Sequence, residues 1–109
     1  MKISKVLFIL AAGSLTTSAQ YNNFREQNAN DAENLQKEFA KLTPNSPCKD
    51  GDNACVNDQF AQCVGGKFAL NACGVNLKCA ALPLVNKAGT SIACTTEEDR
   101  LNRLADARD

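Results

Sequence analysis

Between residues 59 and 73 the chain reads Gln59-Phe60-Ala61-Gln62-Cys63-Val64-Gly65-Gly66-Lys67-Phe68-Ala69-Leu70-Asn71-Ala72-Cys73, two strand-like runs on either side of a glycine pair. Gly65 and Gly66 can adopt the positive φ angles that a tight hairpin turn requires. A two-residue turn places Val64 opposite Lys67, Cys63 opposite Phe68, Ala61 opposite Leu70 and Phe60 opposite Asn71. Side chains alternate between the faces of a strand. One face therefore carries Ala61, Cys63, Phe68, Leu70 and Ala72 and suits a core, while the other carries Asp58, Phe60, Gln62, Val64, Lys67 and Asn71 and is mixed. A bulge that shifts the register by one residue would exchange these roles.

The hairpin sits inside a cysteine frame. Cys48, Cys55, Cys63, Cys73, Cys79 and Cys94 are the chain's six cysteines, with intervals of 6, 7, 9, 5 and 14 residues between them. Zinc binding fits poorly, because no CxxC pair is present and the chain has no histidine. Three disulfides are the expectation, since an even count in an exported chain reads as a covalent framework. Export is indicated by residues 1–19: Lys2 and Lys5 precede the uncharged run Val6 to Leu15, which leads into Thr16-Thr17-Ser18-Ala19. That is the pattern of a signal peptide. The apolar run is about half of the roughly 20 residues needed to cross a bilayer as a helix. We therefore expect a secreted, extracellular protein beginning near Gln20.

Loss of Lys2 and Lys5 leaves ten cations against twelve anions, a net charge of −2. With no basic patch, nucleic acid and acidic membrane surfaces are not expected partners. About 90 residues make one domain, of a size whose core often needs covalent help.

Two cysteine-free arms flank the frame. In residues 20–47, Ala32, Leu35, Phe39 and Leu42 recur at helical spacing among Glu33, Asn34, Lys37 and Glu38. Thr43-Pro44-Asn45-Ser46-Pro47 ends that helix, and residues 20–27, without pattern, are expected to fray. In residues 95–109, Thr95 and Glu98 have capping-box spacing. Leu101, Leu104, Ala105 and Ala107 would form the apolar face, with Arg100 and Arg103 solvated. Packing of both helices on each other or on the core, in a monomer, is expected over a dimer interface. Within the frame, the apolar run Ala80 to Val85 is interrupted by Pro83, which argues against a central strand. A turn near Asn86 to Gly89 and a short strand from Thr90 to Ala93 follow. The whole reads as a small disulfide-rich α+β fold: a β-hairpin core in residues 48–94 stapled by three disulfides, between an N-terminal and a C-terminal α-helix.

Catalytic chemistry has little material. Without histidine there is no Ser-His or Cys-His pair, and Asp50, Asp52 and Asp58 read as turn residues rather than as a carboxylate pair held in a cleft. Asp50-Gly51-Asp52-Asn53 begins like a calcium loop, but Cys55 stands at the sixth position and Ala61 at the twelfth. Asn45-Ser46-Pro47 does not fit the N-glycosylation pattern. No enzymatic activity, metal or cofactor is expected.

The run Cys48-Lys-Asp-Gly51-Asp-Asn-Ala54-Cys55, Gln59-Phe60-Ala61-Gln62-Cys63-Val-Gly-Gly66-Lys-Phe68 and Cys73-Gly-Val-Asn-Leu77-Lys-Cys79 resembles carbohydrate-binding module family 19, a fungal chitin-binding module. The portion from Cys63 through Gly66 and Phe68 to Cys73 also resembles the peritrophin-A type of chitin-binding domain. By that second resemblance Cys48 pairs with Cys63. The other four cysteines stay open, with a local Cys73–Cys79 bridge and a longer Cys73–Cys94 bridge as alternatives. The resemblance implies non-catalytic binding of chitin or a related cell-wall polysaccharide, whose sugar rings stack on aromatic side chains. This chain has no tryptophan. Phe68 occupies the place where related modules carry one, yet the register puts it on the core face. Phe60, sharing its face with Gln62 and Asn71, is the better platform. The rival expectation is a secreted cysteine-rich effector or interaction protein that has lost sugar binding and contacts a host or cell-surface protein.

Overall fold

The computed structural model describes residues 24–109, so the signal-peptide segment and the residues up to 23 lie outside the described part. Helix α1 covers residues 24–39. Strands β1 (Asn53–Val56), β2 (Gln59–Val64) and β3 (Lys67–Asn71) follow, then β4 (Lys78–Pro83), β5 (Thr90–Thr95) and helix α2 (Glu97–Ala107). The first three strands form an antiparallel sheet in the order β1-β2-β3, and β4 and β5 form a separate antiparallel pair. The molecule is a disulfide-rich α+β fold. Its bridges are Cys48–Cys63, Cys55–Cys79 and Cys73–Cys94, with Cα separations of 6.0, 5.4 and 5.6 Å.

Two tight turns build the larger sheet. Gly65 and Gly66 have φ of 62° and 82°, the left-handed pair of a type I′ turn, and the β2–β3 register has Val64 opposite Lys67 and Phe60 opposite Asn71, as expected. Asn57 and Asp58, with φ of 53° and 64°, make the equivalent turn between β1 and β2. Strand β1 was not anticipated. Asn and Asp tolerate the left-handed region because their short side chains bond locally, so Asn57-Asp58 is a turn signal that the glycine pair overshadowed.

Strand β4 has one hydrogen-bonding edge on β5 and one free. N–H groups alternate between the two sides of an antiparallel strand, and those facing away from β5 are all dealt with. Cys79 donates to the Asp58 carbonyl at 3.0 Å and Ala81 to Gln36 Oε1 at 2.8 Å, while Pro83 has no N–H. An edge strand thus becomes an interior one, and all of β4 after Lys78 is buried. Pro83 is where proline is tolerated, on the side away from the ladder. The strand starts two residues before the expected apolar run and stops before Leu84, leaving Val85 exposed. β5 likewise extends past Ala93 to Thr95.

Helix α1 begins earlier than expected. Residues 24–27 are helical, and Arg25 donates to the Asp106 carbonyl at 2.9 Å. The cause lies one turn on, at Asn28, a buried polar side chain only 1% exposed. Its Nδ2 donates to the carbonyls of Leu84 (3.0 Å) and Lys87 (2.9 Å), and its Oδ1 accepts from the Gly89 N–H at 2.8 Å. One amide thereby ties the helix to the β4–β5 turn. Ala29, Ala32 and Phe39 are buried, whereas Leu35 is only partly so and Leu42 packs against the core from just beyond the helix.

Helix α2 is capped one residue later than expected. Thr96, not Thr95, is the N-cap, its hydroxyl accepting from the Asp99 N–H at 3.0 Å. Leu104 and Ala107 are buried, but Leu101 is 51% exposed and Ala105 is also exposed, so the apolar face is narrower than the spacing suggests. Arg100, expected in solvent, is half-buried against Glu97. Arg108 joins the helices by donating to Asn30 Oδ1 at 2.8 Å and Glu33 Oε1 at 2.6 Å. Ala72, assigned to the apolar side of the hairpin, lies past the end of β3 and is exposed.

Six of the eleven residues in the described core cluster are alanine. Small side chains let α1, β1 and β4 approach closely but bury little area each, at about 0.8 kcal/mol per CH₂. The bridges, which close loops of 15, 24 and 21 residues, supply on the order of 3 kcal/mol each in the chain-entropy model. Among the described residues no helix is long and apolar enough to cross a membrane. Three disulfides in so small a domain are consistent with an extracellular protein.

Asn28→Ala removes two donors and one acceptor from the β4–β5 turn at once. Urea denaturation is expected to show a loss of roughly 2 kcal/mol, with amide exchange accelerated at Gly89. Unchanged stability would show that solvent replaces the Asn28 amide without cost.

Candidate functional site

The mixed face of the β2–β3 hairpin is the candidate. Across the three strands its rows run Cys55–Phe60–Asn71, then Asn53–Gln62–Ala69, then Val64–Lys67 at the tip. Gln62 and Asn71 are exposed, and neither amide hydrogen-bonds within the described residues. Phe60 is half-buried and packs against the core. The reason is its row: Phe60 shares a face with Cys55, and Cys55 is bridged to Cys79 in β4. Part of the ring is therefore spent on packing, and the remainder borders the two amides. Phe68 lies on the opposite face opposite Cys63 and also packs against the core.

The tip is held in place by the segment that precedes β1. Asp50 Oδ1 accepts from the Gly66 N–H at 2.9 Å, Gly51 N–H donates to the Cys63 carbonyl at 3.0 Å, and Cys63 N–H donates to the Asp52 carbonyl at 2.8 Å. With Cys48–Cys63 behind it, the hairpin has little freedom to reorganise. Asp50 and Asp52 serve turns here, as their position suggests.

Two hollows lie beside this face. One, of ≈ 270 Å³, is lined by Gln36, Phe39, Leu42, Cys55, Asn57 and Asp58 among others. The other, of ≈ 130 Å³, shares Gln36 and Asp58 and adds Lys78, Thr95, Glu97 and Arg100. Sequence patterns gave no pointer to them, because they form only where α1 meets the Asn57-Asp58 turn. In the second hollow the Glu97 carboxyl is held below its ordinary value, first by the Arg100 hydrogen bonds at 2.9 and 2.6 Å, and Arg100 is raised in return. Asp99 is lowered chiefly by the Thr95 hydroxyl at 2.7 Å and then by Arg103 at 2.8 Å. Both carboxylates are thus kept ionised, the opposite of the raised pKa that a general acid needs. Among the described residues, no group of three or more Cys, Asp or Glu side chains is placed to hold a metal ion.

No family model, curated protein or solved structure matches this chain.

The lowered carboxylates set a pH dependence for α2. A group whose folded pKa is depressed stabilises fully above its unfolded value and loses that contribution as pH falls through the folded value. Amide protection factors in residues 100–107, the exchange rates corrected for the intrinsic pH dependence of the chemical step, are expected to stay constant from neutral pH down to the ordinary carboxylate range and to fall below it. Thr95→Val should move that loss of protection to higher pH by removing the main cause at Asp99. Protection factors that ignore pH throughout the acid range would contradict these assignments. Because the pairs are largely exposed, the effect should be modest and weakened by salt.

Proposed function

We propose that this chain is a non-catalytic secreted protein that binds chitin or a related cell-wall polysaccharide, at a fungal cell wall or in the extracellular space, through the mixed face of the β2–β3 hairpin. The observation that carries the reading is the pair of unpartnered amides, Gln62 and Asn71, exposed on the same face as Phe60. A β-linked N-acetylglucosamine polymer offers hydroxyls and acetamides to such amides and an apolar ring face to the remaining edge of Phe60. The resemblance of the Cys48–Cys79 stretch to carbohydrate-binding module family 19 supports the same assignment. A hairpin already fixed by Cys48–Cys63 and Asp50 loses little freedom on binding. One half-buried phenylalanine nevertheless makes a shallow site, so retention on a solid polymer would draw on many copies acting together. The apolar residues Ala29, Ala32, Phe39 and Leu104 are turned inward, which favours a monomer.

A second reading has its own observation. Val75 is 89% exposed and Val64 63% exposed, apolar surface at a loop and at the hairpin tip that a protein partner could cover. In that case the chain is a secreted interaction or effector-type protein facing a host or cell-surface protein, and sugar binding is lost.

Phe60→Ala cannot separate binding from stability, because the ring packs against the core. The double variant Gln62→Ala/Asn71→Ala can, since both side chains are exposed. Wild type is expected to be retained on insoluble chitin, and the double variant to bind roughly tenfold or more weakly at unchanged Tm. Retention of the double variant equal to wild type would remove the site. Failure of wild type on chitin, chitosan, β-glucan and cellulose alike would remove the function and favour the second reading.

A further inference from the structure

Two bridges, one from β1 and one from the segment just after β3, end on one cross-strand pair of the smaller sheet. Cys79 of β4 and Cys94 of β5 are register partners, and they are bonded to Cys55 and Cys73 respectively. The Cys79 N–H points away from β5, to the Asp58 carbonyl. The Cys79/Cys94 pair is therefore of the non-hydrogen-bonded kind, in which Cα atoms stand about 4.5 Å apart and side chains are closest. That separation falls within the range of roughly 4.4–6.8 Å that a disulfide spans. Each of these two cysteines thus has its present partner and an alternative one directly beside it.

The two bridges differ in access. Cys55 is 4% and Cys79 2% exposed, whereas Cys73 is partly exposed and Cys94 is exposed. In the third bridge Cys48 is partly exposed and Cys63 is buried and points to the other face of the sheet, so Cys94 is the one exposed cysteine among the six. An external thiol meets Cys73–Cys94 first.

We propose that Cys73–Cys94 is a thiol-exchange site and that Cys94 relays the exchange to Cys79. A dithiol reduces the exposed bridge: it gives up two electrons and two protons, closes to its own cyclic disulfide, and leaves thiols at Cys73 and Cys94. The Cys94 thiolate then attacks Cys79 Sγ. The Cys94–Cys79 bond forms, the Cys79–Cys55 bond breaks, and Cys55 departs with the electron pair and takes a proton from solvent. No further oxidant or reductant is consumed. The product carries Cys79–Cys94 within one sheet and free thiols at Cys55 and Cys73. No covalent link then joins the two sheets apart from the chain itself, so the row holding Cys55 and Phe60 is released from β4. One reducing event at the surface thereby unclamps a buried bridge.

The test uses the native protein with limiting dithiothreitol, acid quenching, alkylation with N-ethylmaleimide and peptide mapping by mass spectrometry. The expected early product has label at Cys55 and Cys73 and a Cys79–Cys94 cross-linked peptide, with label at Cys55 exceeding that at Cys94. Label at Cys73 and Cys94 with Cys55–Cys79 intact would overturn the relay. So would first label at Cys48 and Cys63, or simultaneous opening of all three bridges. Cys73→Ser, prepared without reductant, is a second test: the relay places the free thiol at Cys55, and a free Cys94 beside an intact Cys55–Cys79 bridge contradicts it. Should that variant not fold, the trapping of the native chain decides alone.

Discussion

The N–H groups on the free edge of β4 need partners, and they are supplied from two separate parts of the chain. Asp58 comes from the β1–β2 turn and Gln36 from α1, while Pro83 removes the need for a third. Each partner brings its own element with it. The Asp58 bond carries the three-stranded sheet to β4, where Cys55–Cys79 then locks it. Gln36 lays α1 along the strand, and Asn28, two turns earlier, fixes the far end of that helix to the β4–β5 turn. An unpaired buried N–H costs about as much as a hydrogen bond is worth or more, so this edge leaves the packing few alternatives. With a core built largely from alanine, satisfied polar groups and disulfides take over work that larger side chains do in bigger domains.

The hairpin was legible because a two-residue glycine turn determines its own register, and every facing pair from Val64–Lys67 to Phe60–Asn71 is as the turn implies. The Cys48–Cys63 pairing implied by resemblance is present, and of the two alternatives for Cys73 the longer one, to Cys94, is realised. Other elements were hidden for physical reasons. The first turn of α1 has no apolar pattern of its own, since Asn28, the residue that anchors it, is polar and finds its partners some 56 to 61 residues away. Strand β1 is four residues long, and its turn is made by Asn57 and Asp58 rather than by glycine, so it carries a weaker sequence signal. Two threonines in succession offer the same cap to α2, and only the placement of Asp99 between Thr95, Thr96 and Arg103 decides between them. Leu101 lies on the apolar stripe yet is half exposed, because helical spacing marks a stripe without saying how much of it a small core can cover.

For the candidate site, the mixed face was readable and its depth was not. Phe60 does share a face with Gln62 and Asn71, but the same register puts it beside Cys55, and the bridge from Cys55 draws that end of the face under β4. Packing and recognition therefore compete for one ring. The exposed part of the surface is the amide pair and the hairpin tip, which suits a shallow, repetitive ligand better than a small molecule that needs enclosure.

The central claim is that β4 is the strand on which the sheets are clamped, and the Cys55–Cys79 bridge is its covalent expression. Proteolysis of the unreduced protein followed by mass spectrometry reads that bridge directly. The account predicts cross-linked peptides for Cys48–Cys63, Cys55–Cys79 and Cys73–Cys94 and no others. A local Cys73–Cys79 bridge would contradict it, because it would leave β1 with no bond to β4.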